Sequence, residues 1–125
     1  MERKTIQTPL APQAIGPYAQ AVEAANMLFT SGQLGIDVQT GKLAEGVEAQ
    51  AHCAMKNLGE ILKAAGLTYG HVVKATIFVK DLGDFAKVNQ VYASYFDQGY
   101  PARSCVQAAA LPLGGLVEIE CVACR

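Results

Sequence analysis

The sequence has no surplus of either charge, no long apolar run and very little histidine, and each shortage removes a class of function. Ten Lys and Arg stand against eleven Asp and Glu in 125 residues, a formal net charge of -1. The basic excess that marks nucleic-acid binders is therefore missing, and no block of like charges forms a tail. No stretch approaches the roughly 18 uninterrupted apolar residues of a membrane-spanning helix. The first seven residues carry charge with no apolar segment behind them, so no secretory signal is expected. There is no phosphate-cradling loop either, because Leu113-Gly114-Gly115-Leu116 leads into a predicted strand rather than a helix. His52 and His71 fall in unrelated elements, which supports neither a metal site nor paired-histidine chemistry.

What is present is an apolar content of 51% beside 17% charged residues, too hydrophobic and too nearly neutral for a disordered chain. The length suits one domain. With no repeat, linker or low-complexity segment, a single domain over 1–125 is expected. Cys53, Cys105, Cys121 and Cys124 are read as free thiols of a cytoplasmic chain.

Periodicity supplies the elements. Val47, Ala51, Ala54, Leu58, Ile61 and Ala65 recur at three- and four-residue spacing, predicting a helix over 45–65 that Gly66 closes. A second helix is expected from Asp84 as N-cap, with Phe85, Val88, Tyr92 and Tyr95 on one face, closed by Gly99 and Pro101. Strands are expected over 18–24, 27–31, 71–80, 103–109 and 117–124. Over 71–80, alternation assigns Val73, Ala75, Ile77 and Val79 to one side and Val72, Lys74, Thr76 and Phe78 to the other. The order implies an α+β fold, a mixed sheet with two helices on one face. The second face, semi-polar and carrying carboxylates, suits a subunit interface or ligand site, so a homo-oligomer is expected.

A few polar residues stand out. Arg103, Cys105 and Gln107 share a face of their strand. An arginine there suits bidentate binding of a carboxylate, and equally a surface pair with an acidic neighbour. Glu118 and Glu120 share the polar face of the last strand. Apolar neighbours would raise a carboxyl pKa there toward acid–base use; a solvated edge or a salt bridge is the plainer alternative. Cys121 and Cys124 have Cys-x-x-Cys spacing, but residues three apart on a strand face opposite ways, so they are read as structural thiols. Asn89 edges the buried stripe of the second helix, Tyr18 follows a Gly-Pro turn, and Gly32 permits close backbone approach.

These pieces together resemble the RidA family, also called YjgF. The matching segments are Ala14-Ile-Gly-Pro-Tyr-Ala-Gln20, Thr30-Ser-Gly-Gln-Leu34, Val79-Lys-Asp-Leu82, Asn89-x-x-Tyr92, Pro101-Ala-Arg-Ser-Cys105, Leu111-Pro112 and Val117-Glu-Ile-Glu120. They run in family order over nearly the whole chain. Ala19 and Gly35 depart from the family's frequent Ser and Pro, without removing an assigned group. The resemblance implies a chorismate-mutase-like homotrimer with interfacial sites and no metal or cofactor. It also implies hydrolysis of 2-aminoacrylate, 2-iminobutyrate and related enamines or imines to 2-keto acids and ammonia. Arg103 would clamp the substrate carboxylate and Glu118 activate water, with Tyr18, Gly32, Asn89 and Cys105 lining the pocket. An endoribonuclease acting as a translation inhibitor, and a non-enzymatic metabolite-binding or chaperone-like trimer, are the rival readings. Neither nucleic acid nor a membrane is expected as a partner.

Overall fold

The apolar stripe predicted over 45–65 does line a single helix. In the computed structural model, which describes residues 2–125, α1 spans Val47–Ala64, and all six stripe residues are buried. Gly66 follows at φ +76°, the left-handed backbone that glycine adopts without steric cost. A shorter helix, α2, spans Phe85–Ala93. The strands are β1 (Arg3–Ile6), β2 (Ala21–Ala24), β3 (Met27–Thr30), β4 (Gln33–Leu34), β5 (Ile36–Asp37), β6 (Lys42–Leu43), β7 (Val72–Val79), β8 (Ala102–Gln107) and β9 (Val117–Cys124).

The main sheet runs β1-β2-β3-β9-β7-β8, with β4 pairing the same side of β9 beyond β3; β5 and β6 form a small hairpin apart from it. Pairing is antiparallel except between β7 and β8, which are parallel and joined through α2, as parallel neighbours require a crossover. A two-residue turn with Ala25 and Asn26 both at positive φ links β2 to β3; left-handed turns of this kind match the strand twist. Leu28, Ile77, Val79, Val117, Ile119 and Ala123 meet α1 and α2 across the core. Both helices thus lie on one face, giving the expected mixed α+β architecture. Among the described residues no helix is long and apolar enough to cross a membrane.

Several expectations need correction. The alternation assigned over 71–80 fails at its start: a register shift between Val72 and Lys74 turns Val72 against the core and leaves Val73 exposed. An inserted residue in one strand has that effect, since it breaks the period of two. Asp84 holds the N-cap position of α2 as expected, but its side chain accepts no capping hydrogen bond. Asp81 caps the 3-10 turn that leads into α2, accepting the Gly83 N–H at 2.8 Å. That helix stops at Ala93, short of Gly99 and Pro101, as Ser94, Tyr95 and Phe96 donate their N–H groups to carbonyls three residues back. The strand expected over 18–24 begins only at Ala21, and β1 was not anticipated.

Gly59 interrupts α1, where glycine weakens a helix by about 1 kcal/mol relative to alanine. The Tyr69 ring lies over it with no room for a Cβ, and the Tyr69 hydroxyl donates to the Met55 carbonyl at 2.7 Å. Gly59→Ala should therefore displace the ring and lower the unfolding free energy by about 1–3 kcal/mol, despite its better helix propensity. Denaturant melts read this directly. A midpoint equal to or above the parent's would mean that the ring gives way freely.

Candidate active site

Arg103 sits on the edge strand β8, and its side chain turns toward α2. Its Nη1 donates to Asn89 Oδ1 at 2.6 Å. The guanidinium carbon stands 5.1 Å from the centroid of the Tyr92 ring and 5.5 Å from that of Phe85. Rings flanking a guanidinium favour the cation and restrict its rotation. The ion pair formed among the described residues joins Arg125 to Glu23; Arg103 has no carboxylate partner. The plain reading, a surface arginine paired with an acidic neighbour, is thus not what this chain holds. Its remaining N–H groups are free to take a planar anion. Cys105 lies two residues along the same face. Burial pushes its thiol pKa up, and Arg103 opposes that shift only in part, so it is a poor thiolate nucleophile.

Glu118 faces a different space. Beside it, between the segment 9–18, the residues around β4 and the turn at Pro112–Gly114, opens a cleft of about 1020 Å³ that includes Tyr18, Gly32 and Glu118 in its lining. Gly32 packs so closely on Glu118 that an added Cβ would stand 2.8 Å from the carboxyl carbon. Burial raises the Glu118 pKa, and Glu120 on the same face raises it further, as a like charge should. Among the described residues neither glutamate forms a salt bridge.

The two groups do not meet within one chain. Arg103 is in register with Ala75, whose side chain is buried under the helices, whereas Glu118 is opposite Phe78 on the uncovered face. Successive residues of a strand point to opposite sides, so Arg103, Asn89 and Cys105 occupy the helix side of the sheet, and Tyr18, Gly32 and Glu118 the open side. Within one chain the sheet therefore separates the two groups of residues. Among the described residues no three or more His, Cys, Asp or Glu gather closely enough to hold a metal.

Sequence reasoning missed Phe85 as a neighbour of Arg103, and it missed three buried amides that hold the cleft walls. Gln20 binds the backbone of residues 8–12. Asn57 donates to the carbonyls of Leu34 and Ile36 at 3.3 and 3.0 Å. Gln50 accepts from the Leu116 N–H at 2.9 Å and donates to the Ala44 carbonyl at 3.0 Å. The one available signal was an amide on an otherwise apolar helix face: Asn57 lies three residues after Ala54 and four before Ile61, and Gln50 three after Val47 and four before Ala54.

The profile of the family described as Endoribonuclease L-PSP matches residues 8–125. The chain belongs to this family. Reactive Intermediate Deaminase A, chloroplastic, from Arabidopsis thaliana is 51% identical over 124 residues, 98% of this chain and 66% of that longer protein. The 2-iminobutanoate/2-iminopropanoate deaminase of Salmonella typhimurium is 50% identical over 125 residues, 98% of each chain. Among solved structures, Escherichia coli TdcF with bound serine superposes with a TM-score of 0.94 at 47% identity, over 98% of both chains. The resemblance read from the motifs is therefore correct at the level of family.

The raised Glu118 pKa has a stability consequence with a definite sign. The folded protein holds this proton more tightly than the unfolded chain does, so stability is lost as pH climbs from the unfolded value through the folded one. Glu118→Gln should accordingly melt higher than the parent at pH 7. The gain should vanish below about pH 4, where both states of the parent carry the proton. Thermal melts at the two pH values check this; a variant less stable at pH 7 would contradict it.

Proposed function

We propose that the chain hydrolyses 2-imino acids and their enamine tautomers, among them 2-aminoacrylate, 2-iminopropanoate and 2-iminobutanoate, to 2-keto acids and ammonia. It would act in the cytoplasm as a single-domain homotrimer whose sites lie between copies. The observation that carries the activity is identity near 50% over almost the full chain with relatives named 2-iminobutanoate/2-iminopropanoate deaminase. A held, unpaired guanidinium and a carboxyl with raised pKa support the chemistry. Their separation by the sheet supports the shared site, Arg103 of one copy facing Glu118 of the next. The uncovered sheet face supports the assembly, since it exposes Phe29 and Val106 along with the carboxylates.

In this reading Arg103 takes the substrate carboxylate through two parallel N–H···O bonds, with Asn89 orienting the guanidinium. That fixes the imine carbon beside Glu118. Glu118 removes a proton from water as the water oxygen bonds to the carbon of the N-protonated imine, whose C=N π electrons become the nitrogen lone pair. Glu118 returns that proton to the nitrogen of the resulting carbinolamine, which collapses: an oxygen lone pair forms C=O, the C–N bond breaks to release ammonia, and the hydroxyl proton passes back to the Glu118 carboxylate and on to solvent. An enamine first takes a proton at its terminal carbon to become the imine. Tyr18 and Gly32 shape the wall around Glu118, and Cys105 lines the opposite half without attacking. The charged imine carbon is electrophilic enough for water, so no covalent intermediate is needed.

The family description names an endoribonuclease. Cutting RNA would call on a basic surface for its phosphates, and a chain of net charge -1 has no excess of basic residues from which to build one.

The test uses 2-iminobutanoate generated in place, its loss measured against a semicarbazide trap. Arg103→Ala should lower kcat/KM by about 100-fold or more, the worth of two charge-assisted hydrogen bonds. Glu118→Gln should still bind a 2-keto acid while kcat falls by about 100- to 10,000-fold. As a base, Glu118 must be ionised, so the parent's kcat/KM should fall on acidification at a pH above the ordinary glutamate value, a limb absent from Glu118→Gln. Full activity in Arg103→Ala would sink the clamp. A parent that binds keto acids without consuming imine would be a binding protein.

A further inference from the structure

Residues 9–18 form the outer wall of the Glu118 cleft, yet they belong to no helix or strand. Three of the chain's five prolines, Pro9, Pro12 and Pro17, fall here, and prolines have no N–H to give a ladder. The wall needs another source of order, and Gln20 provides it. Its side chain is 3% exposed. Gln20 Oε1 accepts the Thr8 N–H at 2.8 Å. Nε2 shares its hydrogens among the carbonyls of Pro12 at 2.8 Å, Thr8 at 3.1 Å and Ala11 at 3.3 Å. The same residue ties the wall to the floor: its carbonyl accepts the Ser31 N–H at 2.9 Å, while the Ser31 hydroxyl donates to the Ala19 carbonyl at 2.6 Å. Ser31 precedes Gly32, which packs on Glu118. By contrast, Tyr18 is 50% exposed, and among the described residues its hydroxyl meets only the Ile15 N–H, at 3.4 Å.

We propose that Gln20 is a positioning residue: its buried amide sets the distance between the Tyr18 wall and the Gly32–Glu118 floor, and so sets how substrate is held beside Glu118. This rests on the imine-hydrolysing reading of the cleft. It assigns to Gln20 a role in substrate binding, and no contact with the reacting atoms. A net hydrogen bond is worth about a factor of ten in an equilibrium, which gives the scale of the effect.

Gln20→Met keeps the length and volume of the side chain and removes its donor and acceptor. In the imine assay it should raise KM about tenfold, with kcat changed less than about threefold. Hydrogen exchange should speed up at the amides of residues 8–18 and stay as in the parent along β3 and β9. Parent-like KM and exchange in Gln20→Met would reduce Gln20 to a space-filler and overturn the proposal; so would a fall in kcat at constant KM. Should the variant fail to fold, the parent decides: its Thr8 amide, outside any ladder, should exchange slowly, and fast exchange would overturn the clamp. A parent that leaves imine intact refutes the functional reading, and with it the effect on substrate, whatever the exchange data show of the wall.

Discussion

A side chain cannot pass through a β-sheet, and most of the functional account follows from that. The register of β7 with β8 and β9 assigns Arg103 to the face under the helices and Glu118 to the face without them. The cation has its ring and amide neighbours on α2, and the carboxylate has its cleft on the other side. Chemistry that needs both groups on one small molecule therefore needs two copies of the chain. Two helices on a sheet this wide cover one face only, and the second is left with Phe29, Phe78, Val106 and Val122 beside the acidic pair. The same shortage of helices thus accounts both for an uncovered apolar surface and for the carboxylate that lies on it.

The cleft itself depends on a second constraint, that backbone groups taken out of water must find partners. Its walls are irregular chain and have no ladder to satisfy them. Three amides substitute for one. Gln20 holds the wall of residues 8–12, Asn57 holds the β4–β5 corner, and Gln50 holds Leu116, two residues before Glu118. Gly35 belongs to this arrangement: its backbone lies directly on that of Gln50, with no space for a Cβ. An amide serves well here because it both donates and accepts, and stays uncharged when buried.

The parts of the fold legible from sequence were those governed by a period. The stripe from Val47 to Ala65 placed α1 to within two residues at each end, and alternation along 117–124 gave both faces of β9. Reading failed where a single residue broke the period, at the register shift before Lys74, and where a 3-10 turn capped by Asp81 preceded α2 while Asp84, at the N-cap position, made no capping bond. What the sequence did not show of the candidate site was its arrangement. Residue chemistry and the family motifs picked out Arg103, Asn89, Cys105, Tyr18, Gly32 and Glu118. That the first three and the last three lie on opposite sides of the sheet depends on the pairing of β7 with both neighbours, which no local pattern encodes. The role of the amide clamps was hidden for a similar reason: an amide on an apolar face signals a buried partner, but which backbone it holds depends on the chain having folded against it.

Subunit mixing tests the shared site most directly. Arg103→Ala and Glu118→Gln chains, each nearly inactive alone, are unfolded together in equal amounts and refolded as hybrids. If every site takes Arg103 from one copy and Glu118 from its neighbour in a homotrimer, hybrids contain one interface with both groups intact, and the mixture recovers about a quarter of the parent's imine hydrolysis. If both groups act from the same copy, no interface is ever whole, and activity stays at the level of the separate variants.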